Sequence, residues 1–278
     1  MDATPRRYLR RPHAWLLVVL AIVGLASVPI HGAGAGADNA KPTIVLVHGD
    51  WADGSSWNAV TKRLINRGYH VLVPPNPLRG PIEDSAYVKS FLETVQGPIV
   101  LAAHSYGGFV ITNAAVGLSN VKALVYIDAF VPDDGDTLLG LAGTGSCLAA
   151  DPMKVFNIVP VAGGVDLYLQ TAPNLPYPGI AECFANGVNP QTTALIAATQ
   201  RPAFSNQISE VSGPPAWKTI PSWSLIGTED HVIPADRQAF MSTRANATIE
   251  TVNAGHLSLI SRPEAVTKVI ETAASATS

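Results

Sequence analysis

Ile99-Val-Leu-Ala-Ala103-His104-Ser105-Tyr106-Gly107-Gly108 decides how the rest of the chain reads. An apolar strand runs straight into a turn, and the turn opens a helix. A serine on such a turn needs small residues two places to either side, because larger side chains would collide where strand and helix cross. Ala103 and Gly107 meet that need around Ser105. The pattern is G-x-S-x-G with Ala in the first Gly position.

Working outward, five more short apolar runs resemble Ile99–Ala103. They are Pro42–Val47, His70–Val73, Ala123–Ile127, Ser222–Ile226 and Thr248–Val252. Each is too short for a helix and nearly continuous in apolar character, as expected of strands covered on both faces. Helical patterns lie between them. Ser56–Arg67 puts Trp57, Val60, Leu64 and Ile65 on one stripe and stops at Gly68. Ser85–Val95 follows, with Asp84 or Ser85 as its cap. Tyr106–Val116, Ala235–Arg244 and Pro263–Ala273 complete the set, and Pro263 suits a first helical turn. This alternation predicts an α/β fold with about six mainly parallel strands and helices on both faces.

Residues 131–214 break the alternation. They hold nine prolines and only nine charged residues in 84 positions. So long an insertion, neither polar nor periodic, is unlike a plain loop. It reads as a small cap over the sheet's C-terminal edge, lining a mostly apolar pocket. The core then falls into two parts, 41–130 and 215–278.

A serine hydroxyl needs a base to take its proton, and histidine is the usual one near neutral pH. His256, in Asn253-Ala-Gly-His-Leu257, follows the last strand, where a loop returns over the nucleophile. His48 and His104 sit beside turns but are poorly placed to face Ser105, His70 begins a strand, and His231 reads as a surface residue. The orienting acid is expected after the fifth strand, in the order Ser, acid, His. Asp230 fills that place, with Glu229 as the near rival and Asp128, after the fourth strand, as another. Donors for a developing oxyanion come from the N–H after the nucleophile, here Tyr106, and from the loop after the first strand. In His48-Gly-Asp-Trp51 the choice is the N–H of Asp50, with Trp51 as the alternative.

The remaining composition bounds the function. The 278 residues carry 18 Lys+Arg against 21 Asp+Glu, which argues against a nucleic-acid partner. With 47% hydrophobic residues the chain is not disordered, and two cysteines exclude a multi-thiolate zinc site. Neither a metal nor an organic cofactor is called for. Residues 1–37 read as an export signal. Arg6, Arg7, Arg10 and Arg11 precede an uncharged run from Ala14 to Ile30 and an Ala35-Gly-Ala37 cleavage site. The Arg6-Arg7 pair is loosely similar to a twin-arginine signal. A retained membrane anchor is the rival reading. Cleavage leaves 241 residues of net charge −6 with no second long apolar stretch, hence a secreted or periplasmic protein without stable membrane association. In an oxidising compartment Cys147 and Cys183 are expected to pair, the other reading being two buried thiols.

Val45-Leu-Val-His-Gly49 with Trp57, Ala103-His-Ser-Tyr-Gly-Gly108, Gly227-Thr-Glu-Asp230 with Ile233-Pro234, and Gly255-His256 occur in one order along the chain. With them the sequence resembles the α/β-hydrolase superfamily, in its compact branch of bacterial esterases, plant methyl esterases and hydroxynitrile lyases. The resemblance implies a six-stranded core beginning at the Thr43 strand, and a Ser105–His256–Asp230 triad. Taken with the export reading of residues 1–37, it points to an exported serine hydrolase acting on a small carboxylic ester, which the charge-poor cap suggests is uncharged and fairly apolar. Epoxide hydrolases and haloalkane dehalogenases use Asp where this chain has Ser105. Hydroxynitrile lyases of the branch carry Lys where it has Leu257, and no HGGG loop follows the first strand. A thioesterase, amidase or perhydrolase would use the same residues, and a ligand receptor or an anchored scaffold would not need them. Asp50 stands out: ionised, it would oppose an oxyanion unless it pointed away or were paired.

Overall fold

The structure is a computed structural model that describes residues 41–171 and 179–277. The segment 1–37 and its export reading lie outside the described residues. In chain order the strands are β1 (Thr43–Val47), β2 (Val71–Leu72), β3 (Ile99–His104), β4 (Val121–Ile127), β5 (Phe156–Val161), β6 (Gly164–Leu169), β7 (Ala203–Phe204), β8 (Ser222–Gly227) and β9 (Thr248–Val252). The helices are α1 (Asn58–Asn66), α2 (Pro81–Thr94), α3 (Tyr106–Ala114), α4 (Leu138–Ala142), α5 (Pro152–Val155), α6 (Pro190–Thr199), α7 (Asn206–Ser209), α8 (Ala235–Arg244), α9 (Ser258–Ser261) and α10 (Pro263–Ala276).

Six strands form one parallel sheet in the order β2-β1-β3-β4-β8-β9. β1, β3 and β8 are buried at every residue, which is why they read as unbroken apolar runs. β9 differs. It is the sheet edge, with Thr248, Ile249 and Thr251 exposed and Glu250 and Val252 half-buried, so its run is the least apolar of the six. α1 packs on α10 and α2 packs on α3. Arg63 and Arg67 at the end of α1 pair with Glu264 and Glu271 on α10.

The chain leaves β1 toward β2 on one side and returns to β3 on the other. The carboxyl ends of β1 and β3 therefore flank the point where strand order reverses, the usual place for a binding crevice in an open parallel sheet. The loop beginning at His48 and the turn at Ser105 both lie there.

Residues 131–214 build a second structure of their own. β5, β6 and β7 form an antiparallel sheet, with β5 and β6 joined by a tight turn through Ala162-Gly163. Gly163 has φ +84°, a conformation glycine adopts without a Cβ penalty. Short helices α4 to α7 complete the segment. The β-sheet in this region is absent from the sequence reading. α2 also begins a turn earlier than that reading has it, at Pro81. Asp84 therefore lies inside the first turn and not at the cap.

Candidate active site

Ser105 sits between β3 and α3 with φ 55° and ψ −127°, a strained turn for a non-glycine residue. The small neighbours are sterically required. A Cβ on Gly107 would lie 2.8 Å from the Val47 carbonyl and 3.3 Å from the Ala103 Cβ. A Cβ on Gly49 would lie 2.6 Å from the Ser105 Cβ, so the loop after β1 rests directly on the serine.

The structure brings Ser105, His256 and Asp230 into one hydrogen-bonded line. His256 Nε2 is 2.9 Å from Ser105 Oγ, and His256 Nδ1 is 2.8 Å from Asp230 Oδ2. With Nδ1–H donating to the carboxylate, the Nε2 lone pair faces the serine hydroxyl. Both His256 and the Asp230 side chain are fully buried. Asp230 also accepts the N–H groups of Val232 and Ile233 and the Gln238 side chain. Burial pushes the Asp230 carboxyl above the usual carboxylate range against these donors. Burial alone lowers His256 to about 3, so the imidazole is a neutral base at neutral pH.

The other candidates fall elsewhere. Glu229 is exposed. Asp128 is buried and accepts the N–H groups of Gly227 and Ser258, bracing the loops that carry Asp230 and His256. His104 donates from Nε2 to the His256 carbonyl at 2.8 Å. His48 donates to the Gly49 carbonyl and accepts the Asn76 N–H, and burial lowers it to about 4. His231 meets the Glu182 carbonyl near the surface. Tyr106 opens α3, so its N–H has no partner within the helix. Asp50 follows Gly49 in the loop resting on Ser105. Its side chain is buried, and its carboxyl is held well above the usual range by burial and by Asp84.

A family model for the α/β-hydrolase family matches residues 44–269. The chain belongs to that family. Among curated proteins, the chain is 26% identical over 270 residues to the α/β-hydrolase nvfD of Aspergillus novofumigatus, covering 84% of this chain and 97% of that one. It is 33% identical over 110 residues to a carbendazim-hydrolysing esterase of Nocardioides, a match spanning 35% of this chain and 46% of that protein. Two solved structures share the fold. Polyneuridine aldehyde esterase has a TM-score of 0.68 at 15% identity, over 84% of this chain and 99% of that one. The pyrethroid hydrolase of Sphingobium faniae has a TM-score of 0.67 at 22% identity, over 84% and 98%.

In this α/β-hydrolase the segment 131–214 packs against His256 and against Trp51 of the loop after β1. Phe184 packs on the His256 ring at 5.5 Å and edge-on to Trp51 at 5.6 Å. Trp51 stacks on Phe156, and its indole N–H donates to the Leu167 carbonyl of β6. Cys147 and Cys183 are disulfide-bonded, with Cα atoms 5.9 Å apart, directly before Phe184. Gly255 admits Asn186 of the same segment, whose atoms would lie within 2.5 Å of a Cβ there. A cavity of about 290 Å³ lies beyond Trp51 and Phe184, lined also by Leu195, Ile196, Leu257 and Ile260. Asp53 is its one charged lining residue. Sequence reasoning missed Phe184, Gln238 and the brace role of Asp128. No motif marks the first two; Asp128 was visible only as a carboxylate after a strand.

Proposed function

We propose that this protein is an exported serine hydrolase of small, uncharged and fairly apolar carboxylic esters. The observation that carries the reading is the continuous line from Ser105 Oγ through His256 to Asp230. Ser105 attacks the ester carbonyl while its proton passes to His256 Nε2. Asp230 holds the imidazole in the required tautomer and stabilises its charged form. The N–H groups of Asp50 and Tyr106 receive the oxyanion. The leaving alcohol takes the proton from His256; a water then attacks the acyl carbon while giving a proton to the same nitrogen, and His256 returns that proton to Ser105 Oγ as the acid leaves.

The cavity beyond Trp51 and Phe184, more apolar than polar in its lining and with Asp53 as its one charged residue, supports the substrate class. Esterase names among the relatives agree with ester cleavage, the carbendazim-hydrolysing esterase among them. Export rests on the basic head, apolar run and small-residue site of residues 1–37, which the N-terminal sequence of the mature protein tests directly.

The test is hydrolysis of a short-chain and a medium-chain aryl ester by residues 38–278 and by Ser105→Ala. Turnover that the substitution reduces by three orders of magnitude or more is expected. Equal turnover by both forms would remove Ser105 from the mechanism. A wild type that hydrolyses neither ester and takes no fluorophosphonate label would refute the hydrolase reading.

A further inference from the structure

His104 is a buried histidine that the mechanism does not use. It ends β3, directly before Ser105. Its Nε2 lies 2.8 Å from the His256 carbonyl, and a carbonyl oxygen only accepts, so Nε2 carries the proton and donates. Nδ1 then holds the lone pair, and it has no partner among the described residues. Burial and the neighbouring His256 keep the ring in this neutral form. The two imidazoles lie against each other, with centroids 4.7 Å apart. An apolar side chain would fill the place without stranding a polar nitrogen, so the N–H contact is what a histidine adds there.

The loop that carries His256 is tied to several strands. The Glu229 N–H, after β8, donates to the Ala254 carbonyl, and Asp128, after β4, accepts the Ser258 N–H. The hydrogen bonds that tie the loop to β3 and its turn come from two adjacent residues. Ser105 Oγ meets the imidazole of His256 at 2.9 Å, and His104 Nε2 meets its carbonyl. Among the described residues no other donor reaches that carbonyl, and His256 is fully buried.

These two contacts differ over the catalytic cycle. Once Ser105 Oγ has taken the acyl group and the alcohol has left with the proton, Oγ is an ester oxygen with no hydrogen to donate. The Ser105–His256 bond is then gone, while the imidazole still has to take a proton from water and return it to Ser105 Oγ. The bond from His104 involves no reacting atom and persists. We propose that His104 is a positioning residue that holds His256 in place over the acyl-enzyme, so that its contact serves deacylation more than acylation. The inference rests on the serine-hydrolase reading and assigns a residue to the second half of that reaction. A misplacement of about 1 Å in a reacting group costs about a hundredfold in rate, which sets the scale of the effect.

The experiment separates the two half-reactions. With p-nitrophenyl N,N-dimethylcarbamate, nitrophenol release gives the carbamoylation rate, and the return of esterase activity after removal of the reagent gives the decarbamoylation rate. With p-nitrophenyl acetate, rapid mixing gives the corresponding pair. The quantity read is the ratio of the second rate constant to the first within each protein, which cancels a general loss of active enzyme. His104→Phe keeps a ring and removes the donor, and His104→Leu removes both. His104→Gln places an amide N–H where Nε2 stood, without a ring. The ratio is expected to fall tenfold or more in the Phe and Leu variants and to stay within threefold of wild type in the Gln variant. A ratio within threefold of wild type in both donorless variants overturns the positioning role and leaves the hydrolase reading standing. A Gln variant that falls with them also overturns it and assigns the effect to the ring. Donorless variants that do not fold would make the contact a folding requirement and overturn its assignment to deacylation. A wild type that neither reagent acylates overturns the proposal, and one that also refuses a fluorophosphonate overturns the hydrolase reading with it.

Discussion

Removing the Cys147–Cys183 bond tests how far the walls of the site depend on one covalent tie. The perturbation is Cys147→Ser with Cys183→Ser, which avoids leaving an unpaired thiol. The two cysteines are separated by 36 positions. Closing a loop of that length removes about 13 cal/mol/K from the unfolded chain, or about 4 kcal/mol at room temperature. For a domain of this size each kcal/mol moves Tm by about 2–4 °C, so a drop of about 8–15 °C is expected. The effect reaches the chemistry, because Cys183 precedes Phe184, which packs on His256, and Asn186, which donates to the Glu229 carbonyl. Thermal and urea melts of oxidised wild type, reduced wild type and the double variant give the stability, and kcat/KM on an aryl ester gives the site. Reduced wild type and double variant should coincide, and both should lose activity below the temperature at which the main transition begins. A Tm unchanged within 2 °C in both would refute the loop argument and show that the segment is held by packing alone.

Two further perturbations address the buried groups. Asp128→Ala leaves the N–H groups of Gly227 and Ser258 without acceptors, so a loss of about 2–6 kcal/mol in urea unfolding is expected, with a lower kcat; a loss under about 0.5 kcal/mol would mean that water replaces the carboxylate at no cost. The neutral His256 is the active form and burial lowers its pKa, so the acid limb of kcat/KM should fall below the ordinary histidine value of 6.5. Phe184→Ala admits water to the ring and should move that limb upward toward 6.5, with about 3–5 kcal/mol of lost stability; an unmoved limb would show that Phe184 does not control His256 hydration.

What the sequence disclosed and what it hid divide along physical lines. Strands buried on both faces are continuous apolar runs, so β1, β3, β4 and β8 were legible, and the bounds read for α8 match residue for residue. β5 was not, because Phe156–Val161 is mostly exposed and contains Asn157 and Pro160 within an apolar stretch. Asp128 and Asp230 both follow sheet strands at the same end, and nothing local separates them. The distinction lies in three dimensions: Asp128 points at two backbone N–H groups, Asp230 at an imidazole. Asp84 looked like a helix cap because it precedes an apolar stripe. The helix starts at Pro81 instead, which leaves the carboxylate free to take the Tyr106 hydroxyl.

The division of labour within the fold follows from the same geometry. Ser105, Asp230 and His256 come from loops after β3, β8 and β9, which the parallel sheet delivers to one edge whatever covers it. Part of their surroundings comes from the segment 131–214. Phe184 contributes to the burial that lowers His256, Leu167 anchors Trp51, and Gln207 lies against the raised carboxyl of Asp50. Among the described residues, that segment presents few charges to the site. A low dielectric strengthens the dipoles aimed at an oxyanion and raises the cost of a nearby ionised carboxylate. Burial raises the pKa of the Asp50 carboxyl, which favours its neutral form beside the proposed oxyanion site. Substitutions in 131–214 that admit water or a cation should then act on catalysis through Asp50 and His256, while leaving the hydrogen-bonded line itself in place.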